Sequence, residues 1–178
     1  ALAGAPVTFN LDTEAQRIDA LERIKSFCKS APCDAKDRVL HELATATEVA
    51  PDPGHAQNYA IMDWKQIREM DANPLFTFGG HALYHDVLSS LPRERMEQEL
   101  DLSIGLLAYH LGHEITHYSY PEGQAHHYDE TIIASLKKRG VRCAPSAING
   151  LNPPGADLFH LRRIMVGFKG MMFPFDGV

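Results

Sequence analysis

At 178 residues and 44% hydrophobic side chains, the chain is long enough to bury one real core and short for two. Its net charge of −6 at pH 7 argues against a nucleic-acid binder, which would show a basic stripe. No apolar run reaches the roughly eighteen residues that cross a bilayer: Ile104 to Leu111 is too short and is followed by charge.

A single domain is expected over residues 1–178, with a helical hairpin at 1–48, a metal-site core at 75–140 and a C-terminal helix and tail at 141–178. The small, apolar start, Ala1-Leu2-Ala3-Gly4-Ala5-Pro6, looks like the end left at a signal-peptide cleavage site. Cys28 and Cys33 flank a turn containing Ser30, Ala31 and Pro32. A disulfide there would fit a periplasmic or secreted protein; three reduced thiols are the alternative, and Cys143 is the odd one.

Leu11 to Ser30 reads as a helix capped by Asp12 or Thr13, with Ile18, Leu21, Ile24 and Phe27 at helical spacing. Asp34 can cap a second helix carrying Val39, Leu40 and Leu43. Val49 to Gln57 holds two prolines and a glycine and reads as a loop. Asn58 to Trp64 is a short strand or the lead-in to a helix through Met70. Leu75 to Phe78 is rich in β formers and precedes Gly79-Gly80; His81 to His85 reads as another strand before a short helix from Asp86 to Leu91. Pro92 opens a long helix to about Tyr118, with Glu94, Glu97 and Glu99 near its positive end and Gly105 and Gly112 allowing close neighbours. A further helix spans Ala125 to Arg139 and stops at Gly140. Asp157 to Phe168 reads as a last helix, and the apolar tail Met171 to Phe175 packs on the core or marks a partner surface.

His113-Glu114-Ile115-Thr116-His117 fits H-E-x-x-H. On a helix, residues four apart share a face, so both imidazoles can meet one Zn²⁺ at about 2.0–2.1 Å. Glu114 can then take a proton from a metal-activated water. A third ligand is expected from the segment holding Glu122, His126, His127, Asp129 and Glu130. His160, in a charged run with Asp157, Arg162 and Arg163, is the candidate to stabilise an oxyanion.

The run Phe76-Thr77-Phe78-Gly79-Gly80-His81-Ala82-Leu83-Tyr84-His85-Asp86-Val87-Leu88, followed by His113 to His117 and by Tyr128 to Gly140, resembles the HtpX-like and CAAX-prenyl-protease-like zinc metallopeptidases. The resemblance covers about Leu75 to Gly140. It implies that His113 and His117 bind zinc, that Glu114 is the base and that Asp129 supports a ligand histidine. Where that family has its glutamate ligand this chain has Ala125, so His126 beside it takes the role, with Glu122, His127 and Glu130 as substitutes. The family's membrane helices have no counterpart here.

His81, His85 and Asp86 also resemble the metal-binding His-Asp set of HD-type phosphohydrolases, with His110, His113, His117 and Asp129 as partners. A binding module with a structural or lost zinc site is a further alternative. The expected protein is thus a mostly helical α+β, zincin-like fold, with the H-E-x-x-H helix beside a small sheet or hairpin. It would be a one-zinc metallopeptidase whose peptide substrate adds as a strand along Leu75 to Phe78.

Overall fold

The computed structural model describes residues 6–47 and 61–164. Expectations for Val49 to Gln57 and for the tail from Met171 lie outside those residues. The chain divides into two compact units, Ala1–Asp63 and Trp64–Val178.

The first unit is the expected helical hairpin. Its first helix, α1, spans Glu14–Ser30 and begins with a capping box: Thr13 Oγ1 accepts from Gln16 N while Gln16 Oε1 accepts from Thr13 N. Ala31 and Pro32 end it, because proline disfavours helical backbone in the residue before it. The second helix, α2, spans Cys33–Thr47 and packs on α1, with Ala20 and Val39 buried. Cys28 carries a free thiol, and the expectation for Cys33 falls on a side chain outside the described ones.

The second unit alternates helices with short extended segments that pair in parallel. Helix α3 is Trp64–Asp71, α4 is Arg93–Leu111 and α5 is Glu130–Lys138. Gly80 bridges Tyr118, and His117 bridges Cys143, both in parallel. The main-chain bonds run Gly80 N to His117 O, Ser119 N to Gly80 O, and Tyr118 N to Cys143 O, each 2.8–3.0 Å. Helix α4 crosses from the first segment to the second and α5 from the second to the third. Parallel neighbours require such crossovers, so the architecture is α/β rather than α+β.

This corrects three expectations. Leu75 to His85 does not form a hairpin: within it Gly80 alone bridges Tyr118, in parallel, and residues 81–87 are a loop. The long helix does not reach Tyr118: it stops at Leu111, where Gly112 adopts φ 76° and its N–H bonds to Ala108 O. Gly112 is therefore a helix stop, and neither it nor Gly105 has a neighbour within 4 Å of where a Cβ would sit. The described part of the expected last helix, residues 157–164, is turns and extended chain.

Other local signals hold. Pro92 caps α4, Asp129 Oδ1 caps α5 by accepting from Ile132 N, and Gly140, at φ 83°, follows the last turn of α5. The core joins Leu88, Met96, Leu100 and Ile104 to Ile115, Tyr118, Ile132, Ile133 and Leu136. Arg139 locks α5 to α4 through Asp101 (2.9 Å) and Glu97 (2.8 Å). The Arg139 guanidinium holds the Asp101 carboxyl below its usual value; for Glu97 the Ser135 hydroxyl is the larger cause, with Arg139 adding to it.

Candidate active site at the carboxyl edge of the parallel segments

In α/β folds with parallel strands, ligands gather at the carboxyl ends of those strands. Here that edge carries His81 after Gly80, then Tyr120 to Gly123 after Tyr118, then Ala144 to Ala147 after Cys143. The loops meet there: Ala147 N donates to Gly123 O (2.8 Å) and Ser89 Oγ to His126 O (2.8 Å).

His81 and His85 face each other at this edge, their ring centroids 4.8 Å apart and nearly perpendicular. His81 Nδ1 lies 2.8 Å from Ser119 O. A carbonyl only accepts, so the proton sits on Nδ1 and Nε2 keeps a free lone pair, as in metal-binding histidines oriented by a carbonyl. Both side chains are exposed, whereas Asp86 beside them is buried.

The loop that presents the pair is strained and held. Ala82 and His85 have φ of 62° and 57°, and Glu122 on the neighbouring loop has 59°. Such backbone costs on the order of 1 kcal/mol or more per residue and persists only where surroundings enforce it. Ala82 N donates to the Tyr118 hydroxyl (2.9 Å), and Leu83 N and Tyr84 N both donate to Glu99 Oε1 (2.6 and 2.8 Å). Burial pushes the Tyr118 hydroxyl up to about 12. Gly79 and Gly80 are required for the close approach: a Cβ on Gly80 would lie 2.6 Å from the Tyr118 ring. Glu99, expected only to complement the helix dipole, is 4% exposed and points into this loop.

The H-E-x-x-H residues lie elsewhere. His113 and Glu114 precede the second extended segment, at the opposite, amino edge. His113 Nε2 pairs with Asp71 Oδ2 at 2.8 Å, and its Nδ1 with Glu114 O at 3.0 Å. The Glu114 carbonyl and then the Asp71 carboxylate raise the His113 pKa. His117 sits in the bridged segment, its Nδ1 3.0 Å from Thr116 Oγ1. With no helix under them, the four-residue spacing no longer stacks His113 and His117 one turn apart.

The other expected residues are scattered. His110 stacks on Trp64 at 3.7 Å. Asp129 is occupied as a helix cap. His126 and His127 pack edge to face at 4.0 Å on the loop after Glu122, at the carboxyl edge. His160 reaches the Tyr128 hydroxyl (3.3 Å) and lies 3.6 Å from Glu130. Among the described residues no three His, Cys, Asp or Glu side chains come together as a metal site. The signal for His81 and His85 was present in the sequence as a β-rich run, a glycine pair and then H-x-x-x-H.

A family model for polysaccharide deacetylase matches residues 41–144. No curated protein matches the chain. Among solved structures, the Streptococcus pyogenes deacetylase PplD in complex with acetate is 20% identical, with a TM-score of 0.54 over 63% of this chain and 48% of that one. The BpsB deacetylase domain from Bordetella bronchiseptica is 24% identical, with a TM-score of 0.52 over 58% and 48%. A de-N-acetylase from Aggregatibacter actinomycetemcomitans is 15% identical, with a TM-score of 0.50 over 90% and 80%. The chain spans about half the length of the first two, and the likeness to all three is one of fold.

These findings overturn the resemblance to zinc metallopeptidases, the zincin-like fold, peptide hydrolysis through Glu114, the peptide substrate and the HD-type phosphohydrolase alternative. The family model spans both the His81–His85 loop and the H-E-x-x-H segment, and with well over half of its residues inside that match, the chain belongs to the polysaccharide deacetylase family.

Proposed function

We propose that this chain is a hydrolase that removes acetyl groups from an N-acetylated polysaccharide, using a divalent cation held by His81 and His85. The observation that carries this reading is the edge-to-face pair of imidazoles, ring centroids 4.8 Å apart, on a strained loop at the carboxyl edge of segments bridged in parallel. It is supported by family membership and by the deacetylases that share the fold.

The two histidines do not by themselves complete a cation site. His81 Nε2 is free to bind because Nδ1 is committed to Ser119 O. Catalytic sites usually supply three protein ligands, and among the described residues no third donor joins the pair. When bound, such an ion supplies Lewis acidity to the acetamide carbonyl. The reaction adds water across the amide C–N bond: the hydroxyl goes to the acetyl carbon, a proton goes to the departing amine nitrogen, and acetate leaves. The candidates to move that proton are Glu122, His126 and His127, whose loop accepts a bond from Ser89 Oγ at the His126 carbonyl. Pro121, Gly123 and Tyr128 are buried beneath this loop and keep it in place.

Zinc, expected as the single ion, is one candidate for that divalent site. No helix among the described residues is long and apolar enough to cross a membrane. A periplasmic or extracellular location would place the enzyme where such polysaccharides lie.

The test is acetate release from oligomers of N-acetylglucosamine after loading with Zn²⁺ or Co²⁺. The expected result is release by the wild-type chain that His81→Ala and His85→Ala abolish and Glu114→Gln leaves intact. Release that persists in His81→Ala, or that depends on Glu114, sinks the reading.

A further inference from the structure

We propose that the outer face of α1 is a self-docking surface: two copies of the chain pair their α1 helices antiparallel, with Ile18 against the partner's Leu21 and Glu14 against the partner's Lys25. The proposal concerns the helical hairpin alone and stands independently of the chemistry above.

Two sides of α1 are taken. Ala20 is buried where α2 packs, with Ile24 and Phe27 half-buried one and two turns further along. The extended segment before the helix takes a second side. There the Arg23 guanidinium lies 5.0 Å from the Phe9 ring centroid, and Thr8, Phe9 and Asn10 line a cleft with Ala15 and Asp19. What remains open is a stripe of Glu14, Ile18, Leu21 and Lys25, whose spacings of four, three and four residues keep them on one face. Ile18 and Leu21 are 52% and 53% exposed, and Glu14 and Lys25 also reach solvent. A helix that is apolar beyond one face is normally covered beyond one face. The hairpin also has little core of its own, since among its described residues only Ala20 and Val39 are buried.

Charge names the occupant. The stripe is acidic at its start, apolar in its middle and basic at its end. Turned end for end about a point between Asp19 and Ala20, it fits itself. A two-fold interface repeats every contact, so this one register forms two apolar layers and two ion pairs. Parallel pairing would instead set Glu14 against Glu14 and Lys25 against Lys25. Lys25 holds Glu22 of its own helix at 2.8 Å, and an ammonium with three donors can take the partner's Glu14 as well. Few side chains are covered, so the dimer is weak and depends on concentration.

The test is sedimentation velocity on the full chain over a range of concentrations. Wild type should pass from monomer to dimer as concentration rises, and Ile18→Glu should stay monomeric. Glu14→Lys or Lys25→Glu alone turns both ion pairs into repulsions and should weaken the dimer about tenfold. An equimolar mixture of those two variants restores both pairs and should dimerise about as tightly as wild type. Recovery on mixing also shows that neither variant has misfolded. A mixture no tighter than its components, or a dimer that Ile18→Glu leaves intact, overturns the proposal. Wild type that is monomeric at every concentration overturns it too. Ile18→Glu then names the other occupant: the chain's own remaining residues if the substitution lowers the urea midpoint, a different protein if it does not.

Discussion

Two segments of this chain have the same spacing, H-x-x-x-H, and opposite fates. His81 and His85 lie on a bent loop at the carboxyl edge of the parallel segments, with their rings 4.8 Å apart. His113 and His117 lie at and after the amino edge, one paired with Asp71 and the other beside Thr116. Between the first pair, Tyr118 and Glu99 accept from three successive backbone amides of the loop. The second pair parts because Gly112 ends the helix that would have aligned it. Residue spacing is a geometric statement only once the backbone beneath it is known.

The contrast can be broken at several points. Removing an orienting partner costs about 10–100-fold in metal affinity, so removing a ligand should cost at least about a hundredfold. Calorimetric titration should therefore show cation binding lost in His81→Ala and unchanged in His113→Ala; the reverse would exchange the roles of the two pairs. Next in size is Gly80→Ala, whose methyl would meet the Tyr118 ring. Overpacking of this kind costs about 1–3 kcal/mol, read as a lower midpoint in urea unfolding, with the cation site disturbed as Tyr118 shifts off Ala82.

Asp129→Ala removes the α5 cap and should cost about 1 kcal/mol. Cation affinity should stay at the wild-type level in that variant, because the carboxylate caps a helix and supports no ligand. A large affinity loss would instead return Asp129 to the metal site.

The smallest effect belongs to the amino edge. The His113 pKa is raised in the fold, so its pairing stabilises fully below the unfolded value of about 6.5 and fades as pH rises through the folded value. Both partners reach solvent, which limits the effect to about 1 kcal/mol or less. Chemical unfolding at pH 5.5 and pH 8 should show wild type losing this increment and Asp71→Asn losing a smaller one, because the bond to the Glu114 carbonyl remains. Acetate release should not follow the same profile; if it did, His113 would be linked to the chemistry after all.

Much of the helical framework was legible residue by residue. Thr13 with Gln16, Pro92, and Gly140 each mark a helix end through bonds or angles made within a few residues, so local reading finds them. Gly112 carried the same kind of signal. It was outweighed by the apolar run from Ile104 and by the motif that follows, and Ile115 to Tyr120 reads as buried helix or buried strand alike.

Composition, caps and apolar periodicity were enough to establish a folded chain that opens with two helices, Glu14–Ser30 and Cys33–Thr47. Which histidines face one another was settled only when Gly80, Tyr118 and Cys143 paired side by side, and when Glu99 reached a loop sixteen and fifteen residues earlier. Those contacts join residues far apart along the chain. No window of neighbouring residues contains both partners, so pairing across the fold, and not spacing, decides which histidines come together.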